Sequence, residues 1–408
     1  MRLGTCVALE LAVVAGAIGG AWFGVVYAAQ EVSIKTSTPL VDRLAGVVGC
    51  ANPESSLEDS RLPRRRTPVR GLCSTPLQSV VVEPVRSEIS QDRLQPERPD
   101  RVAPTSTPPV VAHAAPNNIY GAHDRELLAP LGAARLEHAK LNHGGSSLSL
   151  RLDFANGSRA AFKPDQIHPQ SDPRKEIAAF RIDRLLRIGH VPPAKPTTIA
   201  LADLLAAVEP EHRAYYAERL RDEATLGRGD VLRGELSWWI PEIQPARLGP
   251  HRIDEPDGRE RWTEYLQAGA SPPPELRPML EQISACIVFD LLINNADRWS
   301  GSNTTMSPDG TLLYFMDNTL AFSIARVGNA QSVGALRRVQ VFSRSLVRRI
   351  RELTRDDIVA ALASPDGDLG PLLNPTEIRA IGHRRDYVVR YVDRLIERHG
   401  EAAVLAFP

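Results

Sequence analysis

Two apolar runs that each end in an acid constrain this chain more than any other feature. The first runs through Asp290-Leu-Leu-Ile-Asn-Asn-Ala-Asp-Arg-Trp-Ser-Gly-Ser-Asn303, and the second through Leu312-Leu-Tyr-Phe-Met-Asp-Asn318. The first reads as an apolar helix from Pro278, with Met279, Leu280, Ile283, Ile287 and Leu291 on its faces, giving way to a polar loop that carries Asp297 and Asn303. The second reads as a short apolar strand ending in Asp317. An acid, an amide and a second acid, each at the end of a regular element, suit phosphoryl transfer. Such a set can hold a divalent metal and a nucleoside triphosphate while a nearby carboxylate orients the attacking hydroxyl.

Composition permits this chemistry and excludes little. The 408 residues suffice for a catalytic core of about 250–300 residues with appendages. Lys plus Arg and Asp plus Glu both number 49. The chain therefore has no global field to attract nucleic acid. Cys6, Cys50, Cys73 and Cys286 form no CxxC pair and no metal spacing. Cys50 and Cys73 lie outside both the N-terminal apolar run and the core, so they are a candidate disulfide in an oxidising compartment.

Residues Val7 to Ala29 are apolar except for Glu10, and Arg2 precedes them. That is long enough to span a bilayer, which takes roughly 20 residues. With small residues near Ala28 it equally resembles a cleaved signal peptide. Ala51 to Asn118 holds eleven prolines, the cluster Arg64-Arg65-Arg66 and few aromatics. Such a segment buries too little apolar surface to offset chain entropy and is expected to be a disordered stalk. The predicted plan is a signal peptide or signal-anchor over 1–30, a stalk over 31–118 and a catalytic domain over 119–408. That plan exports the domain from the cytoplasm, membrane-anchored or secreted.

Leu148-Ser-Leu-Arg-Leu-Asp-Phe154 alternates like a strand, Asn156-Gly157 is a hairpin signal, and Ser158 to Pro164 returns with Lys163 near its end. Gly144 and Gly145, one hairpin upstream, offer a turn whose N–H groups could approach phosphates. Pro173 to Leu186 has helical period, with Glu176 in its first turn. A strand lysine that contacts phosphates needs a carboxylate to hold its flexible stem, and Glu176 is placed to supply it. Val191 to Ala200 reads as a further strand, and Leu201 to Leu226 as helical. Gly234 to Glu242 is an aromatic strand stopped by Pro241, with Trp239 and Ile240 where a hinge strand would shape an adenine pocket. Residues 246 to 276 read as a polar, proline-rich connection. After Asp317, helices are expected over 342–353, 354–363 with Thr354 as N-cap, and 374–403.

Phe-Lys-Pro at 162–164, Glu-Ile-Ala-Ala-Phe-Arg-Ile-Asp-Arg-Leu-Leu at 176–186 and Val-Pro-Pro at 191–193 resemble the secretory-pathway atypical kinases. That group includes the Golgi casein kinase, the proteoglycan xylose kinase and Four-jointed. Trp-Ile-Pro at 239–241, Asn-Ala-Asp-Arg at 295–298 and Met-Asp-Asn at 316–318 extend the resemblance, which covers about residues 120 to 400. The alanine-, arginine- and proline-rich composition suggests a bacterial homologue.

The resemblance implies an α+β, two-lobed atypical protein-kinase-like fold. It would have a small antiparallel N-lobe with one key helix (about 119–240) and a mainly helical C-lobe (about 241–408). It implies ATP with Mg²⁺ or Mn²⁺ as cofactors and a protein Ser/Thr or glycan hydroxyl as acceptor. Lys163 would contact the α/β-phosphates with Glu176 as its partner, and Asp297 would be the catalytic acid. Asp317 would bind metal, with Asn303 as a second ligand, although Asn303 lies six residues after Asp297 where kinases generally place Asn five residues on. A nucleotide-binding pseudokinase that acts as scaffold or allosteric activator is the alternative. No Walker loop, Gly-x-Ser-x-Gly elbow or His-Glu-x-x-His motif supports another reaction class.

Overall fold

The computed structural model describes residues 116–142, 147–300, 303–363 and 369–408. The proposed signal segment, most of the stalk, Cys50, Cys73, Gly144 and Gly145 lie outside the described residues. None of the described helices is long and apolar enough to cross a membrane.

In chain order the first half comprises α1 (Asp124–Leu128), β1 (Leu136–Leu141), β2 (Leu150–Phe154), β3 (Arg159–Pro164), α2 (Pro173–Leu185), β4 (Ala194–Ala200), α3 (Leu201–Ala206), α4 (Arg213–Glu223), β5 (Leu226–Gly227) and β6 (Val231–Trp238). There follow β7 (Gln244–Pro245), β8 (Arg247–Leu248), β9 (His251–Arg252), α5 (Pro256–Tyr265), α6 (Arg277–Ile293), β10 (Thr305–Met306) and β11 (Leu313–Tyr314). Then come α7 (Ala330–Arg337), α8 (Arg344–Glu352), α9 (Arg355–Leu362), α10 (Pro375–His399) and α11 (Glu401–Val404).

The expected hairpin forms between β2 and β3. Gly157 takes φ +78°, which glycine adopts without a Cβ penalty, and Asn156 Oδ1 accepts from the Ser158 N–H at 3.1 Å. The sheet runs β1-β2-β3-β6-β4 with antiparallel neighbours, and β5 pairs with β6. In its register Phe162 faces Leu236 and Lys163 faces Glu235. Because side chains alternate along a strand, Phe162 and Leu236 project to one face while Lys163 and Glu235 project to the other. The first face is sealed by Leu201, Leu204, Tyr216 and Leu220 of α3 and α4 in a small apolar core.

The opposite face meets α2. Asp172 caps this helix by accepting from the Arg174 N–H, and Pro173 sits at its first turn where no N–H is needed. Its buried residues Ile177, Ala178, Ala179, Phe180 and Ile182 belong to the larger core, together with α6 and the C-terminal helices. The helix that carries Glu176 is thus held by the helical lobe as well as by the sheet.

The short α1 and the helices α5 and α7 lie where the sequence predicts no helix. The expected connection over 246–276 contains the β8–β9 hairpin and α5. Only Gly258 and Trp262 of α5 are buried, so its apolar period is weak. Trp262 packs against Trp299 and donates its indole N–H to the Ile253 carbonyl at 3.0 Å. Similarly, α7 buries only Ser332 and Leu336. Of the later helices, α8 and α9 form as expected with Thr354 in a capping box, whereas the single helix expected over 374–403 is broken at Gly400 into α10 and α11.

Gly234 lets β6 pass close to the lysine strand: a Cβ there would lie 2.2 Å from the Lys163 carbonyl oxygen and 2.7 Å from Pro164 Cα. Gly234→Ala is therefore expected to cost about 1–3 kcal/mol by overpacking, read as a lower denaturation midpoint. An unchanged midpoint would contradict this packing of β3 on β6.

Candidate active site

β3, α2 and the end of the β11 segment bring three predicted residues together. Lys163 Nζ donates to Glu176 Oε1 and to Asp317 Oδ1, both at 2.9 Å. The Lys163 and Glu176 side chains are 12% and 8% exposed, whereas Asp317 is 43% exposed and opens toward solvent. Burial alone would lower the lysine pKa, but Asp317, Glu176 and Glu235 outweigh it and raise it, so the ammonium stays charged. Burial would raise Asp317, yet Lys163 and the hydrogen bonds from Lys163 and Thr319 bring it below its usual value.

Asp317 sits in the left-handed region at φ +55°. That turn directs the next residue, Asn318, back to Glu176. Its N–H donates to Glu176 Oε1 at 2.9 Å, and its Nδ2 donates to Glu176 Oε2 at 3.2 Å. Asn318 Oδ1 in turn accepts from Arg298 Nη2 at 2.8 Å. The residue after the expected metal ligand is thus a fully buried connector between the helix acid and the loop that carries Asp297.

That loop starts where α6 stops. Asn294 closes the helix in the left-handed region (φ +55°), and its side chain bonds Ser323 and Asn329. Asn295 Oδ1 accepts from the Asp297 N–H at 2.9 Å, while its Nδ2 reaches the Asp317 carbonyl at 3.3 Å. Arg298, 1% exposed, donates to Asp290 at 3.3 Å and to the Met316 carbonyl. Its contacts are those of a buried structural pair. Burial raises Asp290 to about 6 against the pull of Arg298.

Asp297 is half-buried and oriented by its own loop. Ser300 Oγ donates to its Oδ1, and Asn303 Nδ2 donates to its Oδ2 at 2.7 Å and to its carbonyl at 3.1 Å. Burial, its first perturbation, raises its pKa.

The metal-binding potential of these residues rests on which oxygens remain free. Neither Asp317 Oδ2 nor Asn303 Oδ1 accepts a hydrogen bond among the described residues. Both are hard oxygen donors of the kind Mg²⁺ and Mn²⁺ take. No group of three or more His, Cys, Asp or Glu that could hold a metal occurs among the described residues. The donor set therefore fits an ion that takes its remaining ligands from phosphate and water.

Trp239 and Ile240 join no hydrogen bond of the Lys163 cluster. They continue from β6 toward β7, which pairs with β10 just after the catalytic loop. Trp238 packs on Tyr120 at 5.3 Å between centroids.

Sequence reasoning missed Glu235. It is 1% exposed, opposite Lys163 in register, and accepts from Ser237 Oγ at 2.5 Å. Burial, then Glu176, raises it to about 8 against the opposing effect of Lys163. An acid flanked by Gly234 and Leu236 inside a predicted strand was the available signal.

Residues 115–404 match the family model described as Golgi casein kinase, C-terminal, Fam20. The chain is 24% identical over 333 residues to the glycosaminoglycan xylosylkinase of Danio rerio, a match covering 71% of this chain and 80% of that protein. It is 21% identical over 335 residues to the extracellular serine/threonine protein kinase FAM20C of Homo sapiens. That match covers 70% of this chain and 57% of the kinase, less than two thirds of the latter's length. Pseudokinase FAM20A of Mus musculus is 23% identical over 335 residues, covering 70% and 60%. Among solved structures, the Golgi casein kinase with Mn/ADP bound superposes with a TM-score of 0.54 at 18% identity, covering 69% of this chain and 78% of that one. This last likeness shows a shared fold.

The Glu235 proton has a measurable consequence. The folded carboxyl titrates near 8, whereas an unperturbed one titrates near 4.5. Between those values the folded state binds the extra proton, so this group's contribution to stability falls as pH rises and levels off above about 8. Glu235→Gln has no such proton to lose. Chemical denaturation at several pH values from about 5 to 8 should show the variant gaining on the wild type as pH rises. A constant difference between the two would refute the assignment.

Proposed function

The chain belongs to the Golgi casein kinase, Fam20 C-terminal family, and on that premise we propose that it is an active ATP-dependent phosphotransferase. It would transfer the γ-phosphoryl group to a hydroxyl of a protein Ser/Thr or a glycan. The observation that carries the reading is Lys163 held at 2.9 Å by both Glu176 and Asp317. A chain that served only as scaffold has no need of a buried lysine with two carboxylates, because removing one partner of such a cluster costs about 3–5 kcal/mol while apolar replacement is often neutral.

Lys163 would bind the α/β-phosphates as a fixed cation, with Glu176 holding its stem. Asp317 through Oδ2 and Asn303 through Oδ1 would hold Mg²⁺ or Mn²⁺. When bound, the ion would neutralise charge developing on the phosphates. Asp297 would accept a hydrogen bond from the acceptor hydroxyl and take up its proton. Its raised pKa, caused by burial, makes it a better base than an exposed aspartate. Ser300 and Asn303 would keep its oxygens aimed.

The acceptor class rests on relatives named as a protein kinase and as a glycosaminoglycan xylosylkinase. An extracytoplasmic site of action rests on the apolar segment Val7 to Ala29 and on relatives named as Golgi or extracellular kinases. A scaffold reading draws on the similar likeness to a pseudokinase.

The deciding experiment is thermal stabilisation by ATP with Mn²⁺ or Mg²⁺, followed by phosphoryl transfer from labelled ATP. Wild type is expected to be stabilised, and Asp317→Ala to lose the shift with the anionic ligand. Asp297→Ala should keep the shift while turnover falls about 10²–10⁴-fold, the usual share of general base catalysis. Normal turnover by Asp297→Ala would remove it as the base. A wild type bound but silent toward every acceptor would favour the scaffold.

A further inference from the structure

The far end of α2 carries a second cationic cluster that phosphoryl transfer does not use. The helix closes at Leu186, whose carbonyl accepts from Arg349 Nη1 of α8 at 3.3 Å. Arg187 follows at φ +52°. This is the position past a helix end that glycine usually fills, and an L side chain there carries a conformational cost. The chain nonetheless places an arginine at this point.

Arg187, Arg348 and Arg349 line a cavity of about 240 Å³ with Glu352 and Asp357. The two carboxylates leave the cluster cationic. Asp357 is occupied by its own helix cap, accepting from the Thr354 N–H at 2.9 Å and its hydroxyl at 2.6 Å. Glu352 faces Arg349 one turn away, yet burial, Arg187 and Arg348 together hold the Arg349 pKa below its usual value. The side chains of Arg187 and Arg348 make no ion pair or hydrogen bond among the described residues. By contrast, Arg344 and Arg351 on the same helix are paired with Glu401 and Asp393.

We propose that Arg187, Arg348 and Arg349 form a binding site for a tetrahedral oxyanion, phosphate or sulfate, free or borne on an ester, clamped between α2 and α8. Guanidinium forks match the oxygens of such a group and bond it more strongly than neutral donors do. The site is separate from the Lys163 cluster, because Glu176 lies eleven residues back along the chain, about 16 Å at helical rise. It stands whether or not the chain transfers phosphate.

The test is thermal unfolding of the full chain in sodium sulfate, sodium phosphate or O-phosphoserine, against sodium chloride at matched ionic strength and without nucleotide or metal. Sulfate and phosphate should raise the wild-type midpoint beyond chloride. A response to O-phosphoserine at lower concentration than to inorganic phosphate assigns the site to ester-borne groups, and the reverse order assigns it to the free ion. Arg187→Gly should keep or raise the midpoint in chloride, since glycine suits that φ, while needing about tenfold more anion for the same shift. Arg348→Gln should weaken the response comparably and serves as a second, solvent-exposed variant. Equal stabilisation by chloride, or an undiminished response in both variants, overturns the site.

Discussion

The ammonium of Lys163 between Glu176 and Asp317 is the contact on which the rest of the site depends. Three separate pieces of chain must be in register for it to form: β3, the first turn of α2 and the left-handed turn at Asp317. A buried cation without partners would be expelled or neutralised, so each acid constrains where the lysine strand can lie. The constraint extends backward into the sheet. Phe162 and Leu236 must face the small core for Lys163 and Glu235 to face α2, and a one-residue slip of β3 would exchange the two sets.

The placement of α2 makes this arrangement stiff. Its apolar residues are shared with the core of the helical lobe, so Glu176 moves only if that packing is disturbed. Asn318 adds a second tie by donating to both Glu176 oxygens from the strand end itself. The lysine site and the loop that carries Asp297 are therefore parts of one hydrogen-bonded unit, closed by Arg298 through Asn318 and Asp290. A buried guanidinium with its donors directed to fixed acceptors costs little further ordering, which suits it to hold a loop that must present an acid.

Much of this was legible in the residues because it depends on local rules. Alternation around Asn156-Gly157 gives the strand face of Lys163, and the capped helical period from Pro173 gives the turn that carries Glu176. Asp297 and Asp317 are marked by apolar elements that stop at polar residues. What stayed hidden depends on tertiary contact. The carboxylate of Glu176 is shared by a lysine and an asparagine 142 positions away, and no periodicity reports such sharing. Glu235 lies in a strand that also carries Arg233 and Ser237, and only the pairing of β3 with β6 shows that it faces Lys163. α5 escaped notice because one buried tryptophan and one close glycine contact anchor it instead of an apolar stripe.

Asn303 reaches Asp297 although its spacing departs from the general kinase pattern. A carboxamide has a donating and an accepting end, and the two can work for different partners. Its nitrogen holds Asp297 Oδ2 at 2.7 Å, and its oxygen accepts no hydrogen bond among the described residues. An aspartate at this position would bring like charge against Asp297 and raise that acid further. The neutral amide avoids this while leaving one hard oxygen open, so orienting Asp297 and offering an oxygen donor to a cation do not compete at one residue.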